Sequence, residues 1–172
     1  MTTTRNLLTL FVLTALVLPL IGCGGEPLPP GMPKPVPCEV IVTQGGNPLA
    51  GALVRLLPLD GSDWFAVGMT DASGKATFFT MDRFKGAVPG KYKVIVNKTE
   101  DDPGEPLPPE YQRGQPVPPE VLRGLRPAAS YYLVEEQYRS ETTTLEIEVS
   151  KGTQSHTVDV GTAVRIKIEE QR

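Results

Sequence analysis

The feature that most constrains the fold is a repeated alternation of apolar and polar residues in short segments separated by turns. Tyr92, Val94 and Val96 share one face of positions 91–97, and the same period of two recurs over positions 145–149. This period is typical of a strand with one buried face. Glycine- and proline-containing turns separate the segments, and no long helical pattern is present. Further strands are predicted over residues 39–43, 52–57, 64–69, 76–80, 158–160 and 164–168. The sequence therefore predicts an all-β domain of about seven short strands.

The first residues differ sharply from the rest of the chain. Positions 7–21 form an uncharged run of fifteen residues, preceded by Arg5 and interrupted by Pro19. A membrane-spanning helix needs roughly 20 apolar residues, so this run is too short. A short apolar run between a positive charge and small residues is typical of a secretory signal peptide, here residues 1–22. A short membrane anchor or a buried helix remains the alternative.

The residues Leu20-Ile21-Gly22-Cys23 resemble the lipobox of bacterial lipoproteins. The resemblance implies export across the inner membrane, cleavage before Cys23, and acylation of that residue with diacylglycerol and a further fatty acid such as palmitate. Two or three acyl chains give stable anchoring, whereas one is reversible. Gly24 rather than Asp follows the cysteine, which in the family favours the outer membrane or its periplasmic face. Cys38 is the only other cysteine, and we expect it to be buried at the start of a strand.

Two proline-rich stretches interrupt the strand pattern. Residues 24–37 contain six prolines, which predicts an extended polyproline II tether over residues 23–37 that forms no ladder. Such a spacer would hold the domain a few tens of ångströms from the membrane at ~3 Å per residue; a ligand for a groove-binding domain is the alternative. Residues 98–127 contain eight prolines, which predicts an irregular insertion at about 98–130 with a helical turn around 119–124.

Three motifs in the domain over residues 38–172 resemble the carboxypeptidase regulatory-like domain: a G-x-P-L-x-G-A-x-V-x-L segment at 46–56, a T-D-x-x-G-x-x-x-F hairpin at 70–78, and a P-G-x-Y-x-V-x-V strand at 89–96. The resemblance implies a transthyretin-like, Greek-key β-sandwich. Residues 137–152 resemble the second half of small planctomycete-type lipoproteins that carry this domain. The motif glycines and prolines suit turns, so the motifs indicate a fold and no chemistry.

Little in the sequence indicates catalysis, metal binding or nucleic-acid binding. His156 is the only histidine, whereas the enzymes on transthyretin-like folds that this domain resembles need at least two. We therefore expect no enzyme activity and no cofactor. A net charge of −3 without a basic cluster argues against nucleic acid. The acidic residues lack the spacing of a calcium loop and are interpreted as solvated turn residues; they are Asp60, Asp63, Asp71, Glu100, Asp101 and Asp102.

Two aromatic pairs, Trp64–Phe65 and Tyr131–Tyr132, are the candidate ligand-binding residues. One ring of each pair must point outward if both members lie in a strand, and outward rings can stack on sugars. The sequence thus predicts a non-catalytic cell-envelope lipoprotein that presents a β-sandwich as a structural or binding module. A polysaccharide-binding module and an accessory domain of an envelope enzyme are the alternatives. The expected partners are the membrane, through the lipid, and an envelope protein or polysaccharide.

Overall fold

The computed structural model describes residues 27–112, 114–152 and 154–169, so the predicted signal peptide and Cys23 lie outside the described residues. The described chain is mostly β and its strand pairs are mainly antiparallel, as expected. Its strands are β1 (Cys38–Gln44), β2 (Asn47–Pro48), β3 (Leu53–Pro58), β4 (Ala66–Met69), β5 (Lys75–Thr77), β6 (Phe79–Thr80), β7 (Phe84–Lys85), β8 (Gly90–Asn97), β9 (Thr99–Asp102), β10 (Ala129–Tyr132), β11 (Glu146–Val149), β12 (Gln154–Asp159) and β13 (Ile166–Lys167). A 3₁₀ helix (Pro109–Tyr111) and the helices α1 (Pro119–Gly124) and α2 (Glu136–Arg139) complete it.

The strands outnumber the seven expected because one predicted strand is divided and because β2, β7, β9 and β10 lie outside the predicted strands. The segment predicted as one strand over 76–80 divides at Phe78, which is buried. β5 on one side of this break pairs with β1, whereas β6 on the other side pairs with β4. The chain therefore passes from one sheet to another within five residues, which a period of two cannot reveal.

The strands form three sheets in the described residues. Sheet I contains β1, which pairs with β2 and β5 antiparallel and with β12 parallel. Sheet II has the order β11-β8-β3-β4-β6-β7, and sheet III has the order β13-β10-β9. Sheets I and II enclose one hydrophobic core, to which β1 contributes Val40 and Val42 and β3 contributes Val54. These three side chains are completely buried, as alternation predicts.

Strand β8 carries the predicted alternation with one addition. Tyr92, Val94 and Val96 are buried in the core as expected. Ile95, on the opposite face, is buried as well. Helix α2 packs against β8, so this face of the strand is not left to solvent.

The turn at residues 71–74 forms as the sequence predicts. The Asp71 carboxylate accepts hydrogen bonds from the backbone N–H groups of Ser73 (2.8 Å) and Lys75 (3.1 Å). Gly74 has a φ of +76°, and a Cβ at this position would lie 2.5 Å from the carbonyl oxygen of Val42. Only glycine allows this conformation and this close approach of the hairpin to β1.

The last residues of the predicted tether are attached to the body, so the expectation that this stretch forms no ladder is wrong at Val36. Val36 donates to the Ala87 carbonyl (2.8 Å) and accepts from the Ala87 N–H (3.0 Å). Met32 is buried too. Val36 lies between two prolines but keeps its own N–H, which is enough for one isolated bridge at an edge.

The body has two ends, which we call proximal and distal. The proximal end is the one where Val36 pairs with Ala87 and where β1 begins. At the other end of β1, Gln44 donates from Nε2 to the carbonyl of Leu133 (2.8 Å), directly after β10. Leu133 in turn donates to the carbonyl of Lys98 (2.9 Å), between β8 and β9. Sheet III therefore lies at the distal end.

The insertion is more regular than expected. Its first and last residues form β9 and β10, which pair antiparallel in sheet III, so the prediction of an irregular segment over 98–130 is wrong at both of its ends. β9 (Thr-Glu-Asp-Asp) has low strand propensity, and it is extended because it continues β8 and pairs with β10. The predicted helical turn around residues 119–124 is confirmed as α1.

Three proline-rich segments share one local structure. Residues 27–30, 106–109 and 116–119 each have the pattern Pro-Leu/Val-Pro-Pro. In the second and third copies the residue before the last proline is in the polyproline II region, with φ and ψ of −51° and 146° at Pro108 and of −59° and 143° at Pro118. In every copy the carbonyl of the third residue of the pattern then accepts a hydrogen bond from the backbone N–H three residues later, which closes a turn. The pairs are Pro29–Met32, Pro108–Tyr111 and Pro118–Val121.

Candidate functional site

Trp64 and Phe65 lie at the proximal end, in the loop between β3 and β4. The strand predicted from position 64 begins only at Ala66. Phe65 is 37% exposed, and its carbonyl accepts the Met81 N–H (3.1 Å); Trp64 is half-buried. The loop follows Pro58, which pairs with Tyr92 near the start of β8.

Tyr131 and Tyr132 lie in β10 at the distal end and are both half-buried. As neighbours in a strand they point to opposite faces of sheet III. The guanidinium of Arg165 lies 3.6 Å from the centroid of the Tyr131 ring, and that of Arg139 lies 3.6 Å from the centroid of the Tyr132 ring. These are cation–π contacts, so one face of each ring is already covered.

The structure does not bring the two aromatic pairs together. Strand β3 separates them, because its first residue, Leu53, pairs with Asn97 near sheet III and its last, Pro58, lies at the proximal end. A six-residue strand spans roughly 20 Å at ~3.3 Å per residue. The four rings therefore cannot form one stacking platform.

An ion-pair cluster on sheet III holds Arg165 over Tyr131. Arg165 lies 3.7 Å from both Glu100 and Asp102, and Arg126 forms a short ion pair with Asp102. A hydrogen bond from the Gly104 N–H and the pairing with Arg126 lower the pKa of Asp102. Apart from Asp102, whose side chain is 18% exposed, these side chains are about half exposed, so the cluster orients the tyrosine more than it stabilises the fold.

An open concavity of about 870 Å³ lies beside this cluster. Asp101, Asp102, Ser130 and Lys167 are among the residues that line it. Asp101 accepts a hydrogen bond from Ser130 Oγ (2.6 Å), and Asp102 is paired as described above. Size alone does not make this open, charged surface a reaction centre, and we assign no chemistry to it.

The candidate calcium acids are engaged in their own turns. Asp60 accepts the Ser62 N–H (3.0 Å) and Asp71 caps the turn described above, and hydrogen bonds from the neighbouring serines lower the pKa of both carboxyls. In the part of the chain that the structure describes, no group of three His, Cys, Asp or Glu side chains is arranged to hold a metal ion.

The remaining candidate side chains are His156 and Cys38. His156 is half-buried in β12, with Nε2 3.3 Å from Gln154 Oε1. Cys38 is the first residue of β1 and is only 3% exposed, as predicted. Burial, with a smaller contribution from Glu39, raises the pKa of the Cys38 thiol to about 11, so it is protonated at neutral pH.

A small cationic notch, which the sequence did not predict, is formed by Leu53, Arg55, Ile95, Asn97 and Arg139. It encloses about 70 Å³ on the outer face of sheet II. Arg139 is held by a hydrogen bond from Nε to the Val134 carbonyl (2.9 Å). Among the described residues neither arginine forms an ion pair, and the buried Asn97 Oδ1 has no hydrogen-bond partner. No spacing could have signalled the notch, because its members come from three separate elements.

The chain matches no protein-family model, no curated protein and no solved structure. Its resemblance to the carboxypeptidase regulatory-like domain therefore rests on its own motif residues. None of the helices within the described residues has the length and apolar character needed to cross a bilayer.

Proposed function

We propose that this protein is a non-catalytic cell-envelope lipoprotein, anchored through an acylated Cys23, that presents a β-sandwich as a structural or ligand-presenting module. The observation that carries the proposal is the sequence Leu20-Ile21-Gly22-Cys23 directly after a short apolar run. Such a run is suited to export, and the acylated cysteine would supply the stable attachment that a spanning helix would otherwise provide.

The body supports a sandwich of the carboxypeptidase regulatory-like type. Sheets I and II enclose one core, as the two layers of a sandwich do. The motif residues have structural roles, since Gly74 allows a tight hairpin and Tyr92 is buried in the core. A motif fully used by turns and packing is consistent with a module whose function lies in its surface.

The arrangement of the two ends supports a presenting role. The chain from Cys23 joins the body at the proximal end, where Val36 pairs with Ala87. Sheet III and the proline-rich insertion lie at the distal end. A lipid at Cys23 would therefore leave the insertion directed away from the site of attachment.

The test of this proposal is metabolic labelling with palmitate in the native cells, followed by mass spectrometry of the membrane fraction. We expect a labelled protein that begins at Cys23, and loss of both label and membrane association in the Cys23→Ser variant. Cys38→Ala is the matched control, because it removes the only other cysteine and should leave the label intact. An uncleaved, unacylated protein would contradict the proposal.

The cationic notch favours a second candidate function, the binding of an acidic polysaccharide. Arg55 and Arg139 offer guanidinium groups without ion pairs, and a uronate residue provides a carboxylate that matches them. Neither aromatic pair offers a comparable arrangement.

Affinity electrophoresis in gels containing polygalacturonate or neutral dextran tests this candidate. We expect polygalacturonate alone to retard the protein, and Arg55→Ala to abolish the retardation. Arg123→Ala, in the exposed helix α1, removes the same charge elsewhere and should have little effect. Equal retardation of the Arg55→Ala variant and the wild type would rule out the notch.

A further inference from the structure

We propose that the proximal end of the body rests directly on the lipid bilayer, with Trp64 and Phe65 at the level of the headgroups. This inference rests on the proposed acylation of Cys23 and adds a second membrane contact to it. It also replaces the expectation that the tether holds the domain a few tens of ångströms away.

Only a short length of chain can act as a spacer between the lipid and the body. The tether is attached to the body from Met32 onward, since Met32 is buried and Val36 pairs with Ala87. Pro29 is already bound in a turn through its hydrogen bond with the Met32 N–H (3.1 Å). Six residue steps separate Cys23 from Pro29, a reach of at most ~20 Å when fully extended.

Phe65 and Trp64 lie at the same end of the body as this attachment. Val36 pairs with Ala87, and the adjacent Gly86 pairs with Phe79 in β6. Strand β6 pairs in turn with the start of β4, which directly follows Phe65. Adjacent strands are ~4.8 Å apart, so three such steps place the Phe65 backbone about 14 Å from Val36. The aromatic residues therefore lie near the edge of the body to which the tether is attached.

Large apolar side chains are exposed at this end of the body. Phe65 is 37% exposed, Leu59 is 43% exposed, and Leu28, in the tether itself, is 39% exposed. Leu59 belongs to this end because its N–H donates to the Lys91 carbonyl (2.9 Å), near the start of β8. Tryptophan and large apolar side chains are favoured at the membrane–water interface, where an apolar ring and a polar N–H are both accommodated.

Charge does not explain the contact, and this distinguishes it from binding to anionic lipid. The loops at residues 59–65 and 81–85 carry three acidic side chains and two basic ones. Lys34 in the tether and Lys91 in β8 raise the number of basic side chains at this end to four, and an excess of one positive charge gains little from anionic headgroups. The contact should therefore depend on the apolar side chains and on the anchor, and it should be insensitive to salt.

The single tryptophan makes the proposal directly testable, because all tryptophan emission comes from position 64. The mature acylated protein is reconstituted into phosphatidylcholine vesicles whose acyl chains carry bromine, a short-range quencher. We expect loss of Trp64 emission relative to unbrominated vesicles, a blue shift on reconstitution, and protection from aqueous iodide. High salt should not reverse these changes.

The matched control moves the reporter to the distal end. In the variant Trp64→Phe/Tyr111→Trp the only tryptophan lies in the insertion, and brominated lipid should leave its emission unchanged. Equal emission of Trp64 in brominated and unbrominated vesicles, with the acyl mass on Cys23 confirmed, would overturn the membrane contact and leave the proposed function standing. Absence of the acyl mass would overturn both.

Discussion

Replacement of Tyr92 by phenylalanine is a direct test of how the core is held together. Tyr92 is 2% exposed in β8, and its hydroxyl donates a hydrogen bond to the Val88 carbonyl (2.6 Å) four residues earlier. Phenylalanine keeps the ring and its packing. It removes only the hydroxyl, and so it leaves the carbonyl of Val88 without this donor in the interior.

The expected cost follows from that one change. A buried hydrogen bond contributes about 1 kcal/mol, and a polar group left unsatisfied costs about 1–3 kcal/mol. We therefore expect Tyr92→Phe to lower the free energy of unfolding by about 1–2 kcal/mol. In a domain of this size each kcal/mol corresponds to a fall in Tm of about 3–5 °C.

Urea unfolding followed by Trp64 fluorescence measures this difference. Tyr111→Phe is the matched control, because Tyr111 is half-buried in the insertion and its variant should lie within about 0.5 kcal/mol of the wild type. If Tyr92→Phe has the same free energy of unfolding as the control at neutral pH, the hydroxyl does not stabilise the fold through the Val88 carbonyl and the reasoning is refuted.

The pH dependence gives a second readout of the same residue. Burial, more than the nearby Asp60 and Cys38, raises the pKa of Tyr92 to about 12. Folding therefore favours the neutral phenol. The stability that this preference contributes is fully present below the ordinary pKa of 10 and is lost as the pH rises towards 12. Phenylalanine cannot ionise, so the stability gap between the two proteins should narrow over this interval.

Two further predictions concern the hairpin and the buried thiol. Gly74→Ala should lower the free energy of unfolding by about 3 kcal/mol or more, because the φ is positive and the new Cβ would clash with the Val42 carbonyl. Gly46→Ala is the control, since Gly46 has a similar φ but open space around it, and it should cost about 1–2 kcal/mol in the same urea titration. In a Cys23→Ser background, Cys38 should resist iodoacetamide at pH 8 until the protein is unfolded. Stability should fall as the pH rises from 9 towards 11, and Cys38→Val should show a smaller fall, because only the contribution of Tyr92 remains. Rapid alkylation of the native protein would contradict the burial of Cys38.

The elements that the sequence predicts well are those that depend on local pattern and burial. Alternation predicts β1, β3, β8 and β11, because each has one face in the core. The helical turn α1 is predicted because Pro119 suits its first position. In contrast, β9 is a strand only because β10 pairs with it from 27 residues away, and no local pattern carries that information.

The candidate site was harder to predict for a related reason. Tyr131 and Tyr132 were selected by residue type, but their availability depends on Arg165 and Arg139, which reach them only in the folded chain. The bridge at Val36 could not be predicted from the tether sequence, because its partner, Ala87, is remote in sequence. The repeated Pro-Leu/Val-Pro-Pro pattern is present in the sequence, but the structure is needed to show that all three copies form the same hydrogen-bonded turn.

The parallel pairing of β1 with β12 has a mechanical consequence. A pull on the chain that precedes Cys38 would first break the single Val36–Ala87 bridge. Further tension would then run along β1, whose hydrogen bonds to β12 and β5 lie across the direction of force and share the load in shear. Many bonds must then fail together, so the body should resist traction at its point of attachment better than a hairpin opened bond by bond.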